Sequence, residues 1–155
     1  MGAFSVLYVR DSDDIKVAQV KKRFPAAYSI EESEGYLCVY LSCPEFQAPN
    51  DFLERLSARN DVYWVTVSSA TEYFHYYHWN KGALVRALDM EEKGDDRYLW
   101  GVVSGKREPW EIEALRPLLG RPSIPKLGSD VSIFDSKAAF GIVMTYYNLE
   151  PLWLP

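Results

Sequence analysis

Two periods of apolar spacing take turns along the first 68 residues. Phe4-Ser5-Val6-Leu7-Tyr8-Val9-Arg10 is rich in β-branched and aromatic residues and predicts a strand. Val17, Val20 and Phe24 then recur at helical spacing, behind Asp11-Ser12-Asp13-Asp14 and ahead of Lys21-Lys22-Arg23 and Pro25. Acid at the start and base at the end complement the helix dipole, and Pro25 stops the helix. That placement accounts for the basic cluster without a ligand. Ala27 to Glu31 predicts a short strand, Glu32 to Gly35 a turn, and Tyr36 to Leu41 a strand with two apolar faces. Tyr36, Cys38 and Tyr40 form one of those faces and Leu37, Val39 and Leu41 the other, which suits a covered strand. Asn50 can cap a helix through Asn60 with Phe52, Leu53 and Leu56 inward, and Val62 to Val67 returns to strand.

The order β-α-β-β-α-β over residues 4–68 predicts a ferredoxin-like half, a four-stranded antiparallel sheet with two helices on one face. Residues 72–103 predict a three-stranded antiparallel meander that extends this sheet or folds over its open face. Asn80-Lys81-Gly82 suits its first turn, and the acidic stretch Glu91-Glu92-Lys93-Gly94-Asp95-Asp96 its second. Glu108-Pro109-Trp110-Glu111 opens a helix with Pro109 near its first position, and Ile112 and Leu115 continue the apolar stripe. A last helix, from about Asp135 to Asn148, carries Ala138, Ala139, Ile142, Val143 and Tyr146 as its stripe. The apolar tail Leu152-Trp153-Leu154 is expected to dock on the body or on another subunit. The class is α+β, in one domain over residues 1–155 whose second half, 71–155, is not independent.

Charge removes some partners. With 17 basic and 22 acidic residues the chain carries a net −5, and nucleic-acid affinity needs a concentrated basic face that this pattern lacks. The start, Met1-Gly2-Ala3-Phe4, has no basic and apolar leader, and no apolar run reaches the roughly 18 residues that span a membrane. Cys38 and Cys43 are too far apart along an extended strand for a disulfide, unless the chain folds back at Cys43-Pro44, and have no nearby histidine for zinc. The expectation is a cytoplasmic protein with free thiols, no metal, no cofactor, and neither nucleic acid nor membrane as partner.

Candidate chemistry gathers between Thr71 and Trp110, which holds both histidines. On a helix His75 and His78 would share a face, but this aromatic stretch before a hairpin turn reads as strand, which sends them to opposite faces. Arg86 is a lone charge in an apolar run and, if buried, needs a carboxylate. Glu72, Glu108 and Glu111 are the candidates for a structural ion pair with it. A pocket gathering His78, Arg86 and Glu111 is the alternative, a small enzyme or ligand-binding domain. No phosphate loop, nucleophile elbow or other catalytic motif occurs, so no catalytic residue is assigned and the chain is read as a non-enzyme.

Tyr73-Phe74-His75-Tyr76-Tyr77-His78-Trp79, Gly82-Ala83-Leu84-Val85-Arg86, Trp100-Gly101-Val102-Val103 and Glu108-Pro109-Trp110-Glu111 fall within a span of about 40 residues. In these segments the chain resembles small bacterial proteins of the toxin-immunity type. The resemblance implies a protein-binding module that neutralises a secreted toxin domain by occluding it, and it implies no catalytic residues. The 15% aromatic content agrees with that expectation, because Tyr, Trp and Arg anchor interfaces. The residues expected to meet a partner are Tyr76, His78, Trp79, Arg86, Glu91, Glu92, Asp95 and Asp96. An acidic surface suits a basic toxin domain, and a homodimer is the other assembly considered.

Overall fold

The structure is a computed structural model and describes residues 3–27, 29–33, 35–41, 48–68, 73–93, 97–115, 123–125, 141–143 and 145–147. In order these form β1 (Ala3–Arg10), α1 (Asp14–Arg23), β2 (Ser29–Ser33), β3 (Tyr36–Leu41), α2 (Asn50–Leu56) and β4 (Asp61–Ser68). Then follow β5 (Tyr73–Asn80), β6 (Ala83–Lys93), β7 (Arg97–Gly105), α3 (Trp110–Leu115) and β8 (Ser123–Pro125). All eight strands join one antiparallel sheet in the order β2-β3-β1-β4-β5-β6-β7-β8. The protein is therefore α+β. The strands after residue 72 extend the first sheet edge to edge, because β5 pairs with β4 along its full length from Asp61↔Asn80 to Ser68↔Tyr73.

Period-two alternation gives this sheet two apolar faces, each covered by helix. Val6, Tyr8, Cys38, Tyr40, Tyr63, Val65, Phe74, Tyr76, Leu88 and Met90 share one face with Trp110 of α3 and with Val143. Leu7, Val9, Leu37, Val39, Val62, Trp64 and Trp79 share the other with Val17, Val20 and Phe24 of α1 and Leu53 and Leu56 of α2. β3 is buried at every position, as a strand apolar on both sides must be. Helix α1 starts as its acidic run suggests: Asp13 is the N-cap, and its carboxylate accepts from the Lys16 N–H at 2.9 Å.

Several expectations are corrected. β2 begins at Ser29 and runs to Ser33, so the turn is tighter than predicted and is made at Gly35, with φ +88°. α2 ends at Leu56 instead of reaching Asn60. The Asn60 amide is spent elsewhere, donating to the carbonyls of Arg10 and Asp11 at 2.5 and 2.8 Å, and this ties the end of β1 to the start of β4. Pro49, not Asn50, occupies the α2 N-cap and makes no side-chain cap bond. Among the described side chains of α3, Trp110 and Glu111 are buried and Ile112 is exposed, while that of Leu115 lies outside the described residues. Near the C-terminus Tyr147 packs inward and Tyr146 stays exposed, because Tyr147 stands one turn after buried Val143 and its N–H bonds that residue's carbonyl. Cys43, the residues from Asp135 to Phe140 and the tail Leu152-Trp153-Leu154 lie outside the described residues.

Candidate functional site

The β5–β6 hairpin turns through Lys81 and Gly82, whose φ values of +50° and +73° match the left-handed pair of a tight hairpin turn. Just beyond the turn the strands slip by one residue between His78 and Trp79, leaving Val85 as an extra residue in β6. The slip leaves His78 directly opposite Arg86, with both side chains on the face that α3 covers. Two basic groups thus stand side by side on a closed surface. Each demands an anion.

The start of α3 supplies both anions. The backbone N–H of Glu108 donates to Glu111 Oε2 at 2.7 Å, the returning half of a capping box, with Pro109 between them ahead of the helix. Three residues apart, the two carboxylates leave the helix in the same direction. Glu111 takes Arg86 in a fork, Nε at 2.9 Å and Nη2 at 2.5 Å, with Arg86 only 5% and Glu111 1% exposed. Arg86 Nη1 donates to the carbonyls of Gly105 at 2.9 Å and Ser104 at 3.2 Å. Each of the three guanidinium nitrogens thereby has an acceptor, in the planar geometry that Arg offers and Lys does not.

Glu108 is the hub of the neighbouring network. Its Oε1 lies 2.5 Å from His78 Nδ1, and its Oε2 accepts from Tyr76 Oη at 2.5 Å, Tyr147 Oη at 2.7 Å and Trp110 Nε1 at 2.8 Å. His78 Nε2 lies 2.8 Å from Asp61 Oδ1, which also accepts from Asn80 Nδ2 at 2.7 Å. Both ring nitrogens of His78 face carboxylates, so only the doubly protonated ring can donate to both. Tyr63 stacks on that ring with centroids 4.4 Å apart. Burial works against the charge on His78, but the bonds to Glu108 and Asp61 outweigh it and raise its pKa above the ordinary 6.5. Burial likewise opposes ionisation of Glu108, and four donors, His78 foremost, overcome it and hold the carboxyl below its ordinary 4.5. Tyr76 and Tyr147 are pushed far up, first by burial, and stay protonated as donors.

His75 lies on the other face of β5, where its Nδ1 is 2.9 Å from Tyr73 Oη and 3.3 Å from Asp89 Oδ1. The two histidines therefore belong to separate networks, and among the described residues no cluster of metal-ligating side chains occurs. His78, Arg86 and Glu111 do stand together, but as members of two adjoining, internally satisfied networks. Two cavities lined by described residues lie beside α1 and α2.

The expectation that the aromatic strand shows its tips to a partner is corrected for three residues. Tyr76, Trp79 and Arg86 are buried, because both faces of β5 and the adjoining part of β6 are covered. His78 keeps a small exposure beside Asp61, which is about a third exposed. Glu91 and Glu92 belong to β6, opposite Leu99 and Tyr98, while Glu72, Asp95 and Asp96 lie outside the described residues. Sequence reasoning missed Asp61, Tyr63 and Tyr147, and gave Glu108 to the wrong partner. The readable signal was the pairing of β4 with β5, which sets Tyr63 beside His78 and Asp61 beside Asn80.

No helix among the described residues is long and apolar enough to cross a membrane. No family model matches the sequence, and no curated protein or solved structure is similar enough to it to carry an argument.

Proposed function

We propose that this chain is a cytoplasmic protein-binding module of the immunity type, which neutralises a secreted bacterial toxin domain by covering it. One observation carries the reading. The most chemically suggestive side chains, His78, Arg86, Glu108 and Glu111, are all engaged with one another, with neighbouring side chains or with backbone groups, in a network that fixes a helix to a sheet. A catalytic group needs an open coordinate toward substrate, and these groups use theirs internally. A scaffold of this stiffness favours binding, since a preorganised surface loses little freedom on association. The net charge of −5 favours a basic partner, and no catalytic role is assigned.

The fold belongs to the same reading. In this reading residues 4–68 are a ferredoxin-like half, supported by the order β2-β3-β1-β4 with α1 and α2 on one face, and β5 to β7 are a meander added at the β4 edge. The test is to read the genes beside this one for a secreted toxin and to co-express that toxin's C-terminal domain with this chain. Growth should be rescued and a stoichiometric complex recovered by size exclusion. Continued toxicity, with neither protein retaining the other, would overturn the proposal.

A further inference from the structure

Helices α1 and α2 lie over the same sheet face, and a groove between them opens to solvent. Gln19, Lys22 and Arg23 line it from α1, and Phe52, Arg55 and Leu56 from α2, around a cavity of about 380 Å³. Past Arg23, Phe52 and Arg55 it continues into a second cavity of about 420 Å³, bounded by Pro49, Asn50 and Asp51. Its floor is firm: Phe24 and Phe52 meet edge to face at 5.8 Å, and Arg23 lies over the Phe24 ring at 5.0 Å.

The charge here runs against that of the whole molecule. Three cations from two helices meet on one groove of a chain whose net charge is −5. Helix dipoles explain why basic residues stand in the last turns of α1 and α2. They do not explain why both turns converge on one aromatic-floored groove. Among the described residues, no hydrogen bond or ion pair engages the side-chain nitrogens of Gln19, Lys22 or Arg55. Asp51 stands one turn before Arg55, at the ideal spacing for a helical ion pair, and does not bridge to it.

We infer that this groove binds an acidic peptide segment, with paired Asp or Glu carboxylates on Arg55 and Lys22 and an apolar side chain against Phe52 and Leu56. The guanidinium suits a carboxylate bidentately, the ammonium adds a point charge, and Gln19 can meet the peptide backbone. A bare anion would use the cations and leave the apolar floor and the second cavity empty. An extended segment fills both. The site needs no toxin and stands apart from the acidic character on which the proposed immunity role rests.

The experiment is fluorescence anisotropy on the full chain at low salt. The probe is a labelled ten-residue peptide of Glu pairs separated by Leu, and its control carries Gln at every Glu. Saturable binding of the Glu peptide alone is expected, weakening with added salt. Arg55→Glu and Lys22→Glu should each weaken it about tenfold or more, as lost charge-assisted pairs do. Both positions are exposed, so an unchanged circular dichroism spectrum and melting temperature should accompany the loss. Equal binding of the Gln peptide, equal affinity in Arg55→Glu, no saturation, or displacement by micromolar inorganic phosphate would each overturn the inference.

Discussion

Arg86 shows what a buried charge costs and what it secures. With Glu111 in place its donors have acceptors. Without Glu111 the guanidinium would be buried against an apolar sheet face. Arg86→Met should therefore destabilise the protein by about 3–5 kcal/mol in urea unfolding, leaving Glu111 as the unpaired ion. Arg86→Met combined with Glu111→Leu should recover much of that loss, since a buried pair is often replaceable by apolar residues of similar volume. His78 and Glu108 make a prediction in pH. The folded pKa of His78 lies above 6.5, so its contribution is complete below pH 6.5 and is lost as pH rises through the folded value. The folded pKa of Glu108 lies below 4.5, so its contribution is complete above pH 4.5 and is lost as pH falls through the folded value. The pair is worth most between those limits. His78→Gln should flatten the alkaline limb of the stability profile and Glu108→Gln the acid limb, read from denaturant midpoints across pH.

At the scale of elements, the described glycine most sensitive to an added methyl group stands at the end of β7. Gly105 sits at φ +86°, and a Cβ there would come within 2.0 Å of the Val85 carbonyl oxygen, in backbone that cannot step aside. Its own carbonyl is an acceptor for Arg86. Gly105→Ala should cost on the order of 1–3 kcal/mol from backbone strain alone, with the displaced carbonyl adding to it; thermal melting measures the sum. Elements were also where the sequence was most readable. β3 was legible because both its faces are apolar, α1 because acid, stripe and base fall in helical order, and the separation of His75 from His78 because strand period is two. The two bulges in β6–β7 and β5–β6 were not legible, since a slipped register leaves no compositional mark. The role of Glu108 was hidden for a related reason. Its partners Tyr76, His78 and Tyr147 lie 32, 30 and 39 residues away, and periodicity speaks only of near neighbours.

For the molecule as a whole, the consequence of one sheet is cooperativity. β4 and β5 share eight paired positions, so the part before residue 68 and the part after 73 cannot separate without tearing a ladder with both faces buried. Fluorescence from Trp64 on one face and Trp110 on the other, and the far-ultraviolet signal, should therefore report one coincident thermal transition. Two resolved transitions would show that the halves fold independently.

The clamp at the start of α3 also sets a timetable. During synthesis His78 and Arg86 emerge from the ribosome ahead of Glu108 and Glu111, which follow 30 and 25 residues later. At the 5–20 residues per second of translation, the hairpin waits a matter of seconds for its counter-ions. Until they arrive, the guanidinium keeps its water and that face of the sheet cannot close. Two glutamates placed later in the chain thus act as a latch, since the face carrying His78 and Arg86 gains its counter-ions only with the helix that covers it.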